Sequence, residues 1–379
     1  MSKRKLNVIL LGIVSFLNDI SSEMIAPILP LFITSLGGTG AIVGLIGGAR
    51  DSIVSLLKVA SGYISDKVGK KKPFVFAGYF FSAIFKFLLS FSKAWSHIFI
   101  FTSFERVGKG LRTAPRDALI AESMPKRKGT GFGIHRAMDS FGAVIGSVIV
   151  LLLFWLLGVG FKGVILLASA IAFFSLMPLK FVREVPVKKQ KVSFKKIPKK
   201  LWFFILVAGV FALANFSYMF FILKAQSAFL GKWAVIIPLM LYVLFNIFYA
   251  SFSIPFGILS DKIGRKAVLT AGYILFSLTA LFFSLFESTA AFIALFALYG
   301  IVYAIIDSNQ RAFVADLSPK NLKATSLGAF HTVMGLVALP SSLIAGFLWD
   351  FSKSATFIYG SAVGLIAVVL MAVLWKKMK

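Results

Sequence analysis

Read for polarity alone, the chain is a series of apolar stretches about twenty residues long, divided by short polar loops. Their approximate limits are 6–34, 40–64, 73–92, 95–115, 130–157, 161–182, 201–229, 233–259, 267–286, 290–312, 325–349 and 355–375. A hydrocarbon core about 30 Å thick takes about 20 helical residues, so each stretch predicts one transmembrane helix. No alternation of period two runs through them, which argues against a barrel of strands. Several end in helix stops: Gly37-Gly38 after the first, Asp66-Lys67-Val68-Gly69-Lys70 after the second, and Ser318-Pro319-Lys320 after the tenth. The expectation is an all-α polytopic membrane protein with twelve transmembrane helices. The longest polar stretch, 183–200, is too short to bury a core of its own.

Composition agrees and narrows the chemistry. Of 379 residues, 59% are hydrophobic and 15% charged, against roughly 45–50% and about 25% in soluble domains. There is no Cys, and the three His, at 97, 135 and 331, are scattered. Disulfides, thiolate metal sites and the H-E-x-x-H metal motif are excluded, and neither a metal nor a cofactor is expected. No nucleophile–base constellation points to an enzyme. The Gly-Lys pairs beginning at 69, 108 and 231 lack the frame of a phosphate loop, which argues against ATP hydrolysis.

A net charge of +27 would suggest nucleic acid, but its placement points elsewhere. Lys and Arg gather at both termini and in the loops after spans 2, 4, 6, 8 and 10. The opposite loops hold only Lys93, Lys162, Lys232 and Lys353. This asymmetry predicts a multi-pass protein of the cell membrane with both termini cytoplasmic, its basic surface facing anionic lipid and no nucleic acid. The segment Ser2-Lys3-Arg4-Lys5 runs straight into the first span and does not read as a cleavable signal.

The chain also repeats itself. Gly62-Tyr-Ile-Ser-Asp66-Lys67-Val-Gly69-Lys70-Lys71 returns as Gly257-Ile-Leu-Ser-Asp261-Lys262-Ile-Gly264-Arg265-Lys266. Ala121-Glu122-Ser-Met-Pro125-Lys126 returns as Ala315-Asp316-Leu-Ser-Pro319-Lys320, and Thr130 and Gly133 as Thr325 and Gly328. Landmarks in one order at one spacing predict two pseudo-symmetric six-helix halves, 1–182 and 201–379, joined by a basic cytoplasmic linker, 183–200.

On these motifs the chain resembles the major facilitator superfamily along nearly its whole length. The pattern G-x-x-x-D-[RK]-x-G-[RK]-[RK] between helices 2 and 3 of that superfamily is complete in both copies. The helix 4 pattern R-x-x-x-G-x-x-x-A is met by Arg106, Gly110 and Ala114, with Arg112 where a small residue is usual. The helix 5 motif associated with antiporters is met in part: Gly142 and Gly146 fit and Ala143 replaces its proline. Pro27-x-x-Pro30 and the block Glu105–Asp117 are similar to prokaryotic efflux permeases of the superfamily. The resemblance implies a monomeric secondary transporter whose halves rock about a central site. It also implies that contacts of the repeated loops break and reform as they do.

The loop residues read accordingly as a gate. Gly62 and Gly257 would let helices approach, Gly69 and Gly264 would permit a tight turn, and Lys67, Lys70, Lys262 and Arg265 would hold the loops at the cytoplasmic face. Asp66 and Asp261 each need a cation at the interface. Arg112 or Arg116 is the expected partner of Asp66, and Arg311 of Asp261. The alternative is a solvated turn that only sets topology.

Ionisable groups inside the spans carry the remaining signal. A charge at mid-bilayer costs at least about 2.5–3.5 kcal/mol, so each should face a cavity or a counter-charge. Asp19 and Glu23 lie four apart on one face of the first span; Arg50, Asp51, Lys86, Arg106, Arg136 and Asp139 also fall at depth, all in the first half. Asp19, Glu23, Arg106 and Asp139 are expected to line a cavity and handle substrate or protons, with Arg50, Asp51 and Arg136 beside them. The alternative is static pairs such as Glu105 with Lys109 or Arg50 with Asp51. Lys224 reads as a snorkelling residue, His135 and His331 as hydrogen-bonded interface residues, and Phe216, Tyr218 and Phe220 as an apolar wall for substrate. Proton-coupled efflux of small amphipathic molecules is the first functional reading, and import of a nutrient or organic anion the second. A channel would need a polar ring drawn from both halves.

Overall fold

The computed structural model of the protein describes residues 3–125, 127–184, 197–319 and 322–378. Lys126, Lys320 and residues 185–196 of the linker lie outside them. The described residues form fourteen α-helices and no strand: α1 (Lys3–Ile25), α2 (Leu29–Ser35), α3 (Gly40–Val68), α4 (Lys72–Leu89), α5 (Trp95–Ser123), α6 (Lys128–Trp155), α7 (Phe161–Phe174), α8 (Lys199–Ala214), α9 (Met219–Gln226), α10 (Trp233–Ile263), α11 (Arg265–Leu285), α12 (Thr289–Leu317), α13 (Lys323–Phe351) and α14 (Lys353–Met378).

These make twelve membrane crossings, because α1 with α2 and α8 with α9 are each one crossing broken in the middle. Eleven crossings are long and apolar enough by composition alone. The twelfth, α5, has the length but carries Glu105, Arg106, Lys109, Arg112, Arg116, Asp117 and Glu122. The first break falls at Pro27, which has no N–H to continue the helix, and Pro30 occupies the first turn of α2. The second falls at Asn215–Tyr218, where the backbone N–H of Ser217 donates to Ser342 Oγ at 3.1 Å.

Two compact units result. The first comprises Met1–Gly37 and Ile53–Lys191, the second Gly38–Ser52 and Val192–Lys379, so α3 contributes to both. In the first, Val8, Leu11 and Val14 of α1 form a core with Val75 and Tyr79 of α4, Leu119 and Ile120 of α5, and Leu179. Glycines let backbones touch there: a Cβ at Gly142 would lie 2.6 Å from Phe16 O, and one at Gly146 2.4 Å from Ile20 O. The core of the second unit is aromatic, with Phe211 stacked on Tyr273 and Phe221 on Tyr299, both at 4.0 Å. Phe216 and Phe220 belong to that core and are fully buried. They are therefore packing residues and not the substrate wall expected from sequence; Tyr218, half-buried beside Tyr242, is more open.

Candidate functional site

In the first unit, α5 carries a column of ionisable residues into the space between α1, α4 and α6. Spacings of three and four put Glu105, Lys109, Arg112 and Arg116 along neighbouring faces of the helix. The Arg112 guanidinium is 2% exposed; it donates to Ser82 Oγ at 2.6 Å and Gly78 O at 3.2 Å and stacks 4.2 Å over the Tyr79 ring. Arg116 pairs with Asp117 at 2.9 Å and donates to Ser15 Oγ of α1 at 3.1 Å. Arg106 pairs with its own neighbour Glu105 at 3.1 Å. Lys86 of α4, buried, donates to the hydroxyls of Ser21 and Ser22 on α1, both at 2.9 Å.

Asp19 lies at the centre of this lattice. The charges that act on it are Asp139 of α6, Glu23 one turn along α1, and Lys109 and Arg116 of α5. Asp139 accepts from His135 Nδ1 at 3.3 Å. The geometry thus brings Asp19, Glu23 and Asp139 together around two cations. Arg136, one residue from His135, is exposed. Arg50 and Asp51 fall in the second unit, where Arg50 is buried and Asp51 exposed.

The loop acids find partners other than those expected. Asp66 pairs with Lys71 at 3.6 Å, and the same ammonium reaches Glu122 at the end of α5 at 2.7 Å. Arg112 and Arg116 are occupied as above. In the second unit Arg265 pairs with Asp261 at 2.8 Å and with Asp316 at the end of α12 at 2.5 Å, while Arg311 pairs with Asp307. Each half therefore has one cation shared by a loop acid and a helix-end acid. Glu122 and Asp316 had already declared themselves as a recurring pair in the sequence; what spacing could not supply was which basic residue joins them to the loop. Gly69 and Gly264 hold φ of 76° and 94°, the left-handed turn that favours glycine. Gly62 approaches Ala114 Cβ to within 3.2 Å of an added Cβ, whereas Gly257 meets nothing within 4 Å. Only the first copy is thus a close contact. Lys67, Lys70 and Lys262 are exposed.

Lys224 does not snorkel. It is 1% exposed, and its ammonium lies 2.5 Å from Glu287 in the loop between α11 and α12. That hydrogen bond and charge hold the Glu287 carboxyl below its ordinary pKa.

A twelve-crossing fold with a buried charge lattice and twin charged loops can be compared with known proteins. The family model of the Major Facilitator Superfamily matches residues 11–243 and 238–379. An uncharacterised MFS-type transporter of Methanocaldococcus jannaschii is 54% identical over 373 residues, covering 96% of this chain and 94% of its own. The chain belongs to the major facilitator superfamily. Its fold is similar to a crystal structure of the nucleoside transporter NupG, with a TM-score of 0.77 at 16% identity over 97% of this chain and 98% of that one. The quinolone resistance protein NorA of Staphylococcus aureus is 26% identical over 121 residues, 32% of this chain and 31% of its own. As a member of the superfamily the protein is a multi-pass membrane transporter of small molecules.

Proposed function

We propose that this transporter is a proton-coupled secondary transporter that exports small amphipathic molecules by alternating access, from a cell membrane in which both its termini are cytoplasmic. The observation that carries the coupling is the meeting of Asp19, Glu23 and Asp139 with Lys109 and Arg116 across three helices. Carboxylates crowded together away from water do not all stay ionised, so a proton is held within the group and released when the cations move closer. Asp19 is the proton carrier in this reading, Asp139 and Glu23 its coupled partners, and Arg106 a positioning residue through Glu105. The Lys71 and Arg265 bridges are the gate contacts that cycle with the change of state. Two further supports are the distribution of Lys and Arg, which favours cytoplasmic termini, and the partial likeness to NorA, whose name speaks of drug resistance.

The test is transport in reconstituted vesicles with an imposed pH gradient. Asp19→Asn should abolish gradient-driven movement while counterflow exchange of substrate persists. Full gradient-driven transport by Asp19→Asn and by Glu23→Gln would remove the coupling assignment.

A further inference from the structure

The second unit holds a groove that the proton lattice does not use. It runs along α8 over Lys199, Trp202, Leu206, Gly209 and Leu213, whose spacings of three and four put them on one face. Val333 and Val337 of α13 form its other wall. The two helices approach at Gly209, where an added Cβ would lie 3.2 Å from Val333 Cγ1, and again where Ser341 Oγ donates to Leu213 O at 2.9 Å. Because these contacts advance along both helices together, α8 and α13 run in the same direction. Their first residues, Lys199 and Lys323, therefore stand at the same end of the groove.

The internal repeat explains why the groove is open. The spacing that relates Thr130 to Thr325 and Gly133 to Gly328 also relates Gly142 to Val337 and Gly146 to Ser341. In the first unit those glycines let α6 lie backbone to backbone on α1. In the second, a branched side chain and a hydroxyl occupy the matching places and hold α13 off α8. The space left is about 620 Å³, within the range of roughly 300–1,000 Å³ for small-molecule sites. From Lys199 to Leu213 it follows α8 for about 21 Å, at 1.5 Å per residue. Trp202 and Leu206 are 48% and 54% exposed, so its wall is uncovered. Lys199 is the one charged residue among those described that line it. Lys200 and Lys323, at the same end, are also exposed.

We propose that this groove binds an amphipathic monoanion, its apolar body lying along α8 and its anionic head at Lys199. Removing apolar surface from water holds the body, and three ammonium groups at one end with no acid in the lining select the charge. The inference rests on the transport reading for its purpose, since it narrows the amphipathic molecules exported to anions, but the binding it asserts is measurable without transport.

The experiment uses the full chain in phosphatidylcholine nanodiscs and two ions with one tail and opposite charge, octanesulfonate and octyltrimethylammonium. Saturable binding of radiolabelled octanesulfonate is expected, with octyltrimethylammonium a poor competitor. Lys199→Gln should weaken binding about fivefold and Lys199→Arg should retain it. Leu206→Trp, which fills the groove from an exposed position, should abolish saturable binding; size-exclusion profiles check that each variant is folded. Equal competition by octyltrimethylammonium, or unchanged affinity in both Lys199→Gln and Leu206→Trp, would overturn the assignment. So would a membrane lipid that co-purifies with the wild type and is lost, by mass spectrometry, from Leu206→Trp, since the groove would then be a lipid site. Binding of octanesulfonate without its uptake into vesicles would leave the site standing and remove the transport reading. Transport of other compounds with no octanesulfonate bound would do the reverse.

Discussion

Lys71 and Arg265 each stand between two carboxylates, and a cation so placed is worth more than one pair, because removing it leaves two acids facing each other. Asp66→Asn removes half of the first bridge. Transport turnover is expected to fall with substrate affinity unchanged, measured as initial rates and binding on the same preparation; an unchanged rate would relieve Asp66 of a gate role. Another pair reports on pH. Lys224 lowers the Glu287 carboxyl below its ordinary value of 4.5, so the pair's contribution is complete above that value and is lost as pH falls through the lowered one. Wild type should therefore lose unfolding temperature in acid, while Glu287→Gln starts lower at neutral pH and changes less. Leaving Lys224 buried without its partner costs about 1–3 kcal/mol, less than in a fully buried pair because Glu287 is largely exposed. At this scale the sequence was legible in part. It marked Asp66, Asp261 and the half-buried Asp19, since an acid in a membrane protein is conspicuous. It did not mark their partners: Arg265 matches Lys70 in the repeat, yet the bridging residue in the first half is Lys71, one position on. Side-chain reach decides that, and covalent spacing does not carry it.

The helices show the same division between what is written locally and what tertiary contact imposes. The α1–α2 break follows from Pro27 and could be read from the chain. The α8–α9 break spans Asn215–Tyr218, without Pro or Gly, and depends on Ser342 of a distant helix to take up the Ser217 N–H. Gly142 and Gly146, read from sequence as part of an antiporter motif, form the seam along which α6 lies against α1. Gly146→Ala forces a methyl into the Ile20 carbonyl and should cost about 1–3 kcal/mol of stability. Gly133→Ala, on the same helix with nothing within 4 Å, should gain about 0.5–1 kcal/mol. Thermal unfolding of the two purified variants in one detergent checks the contrast; equal effects would mean that helix propensity and not the seam governs position 146.

At the level of the molecule, the twelve crossings and the internal repeat were legible because the bilayer fixes both length and polarity of every span. The membership of residues 38–52 was not, since a continuous helix gives no local sign that its two ends have different neighbours. The first thirteen residues of α3 fit against α13: an added Cβ at Gly44 would lie 2.1 Å from Ser342 O, and one at Gly346 2.4 Å from Gly40 O. Asp350 accepts from the N–H groups of Gly40 at 2.6 Å and Ala41 at 2.9 Å, completing the open amino end of α3. Asp350→Ala should speed hydrogen exchange over 40–52 and leave 53–68 unchanged; equal acceleration along α3 would show that the helix responds as one rod.

That seam also imposes an order on biosynthesis. Gly40 and Asp350 are 310 residues apart, so the glycine-lined start of α3 enters the membrane long before its counterpart exists. Until α13 is made, the strip can be covered only by lipid or by a borrowed helix. A chain interrupted before α13 is thus an unfinished protein at both ends, its earliest helices waiting on one of its last.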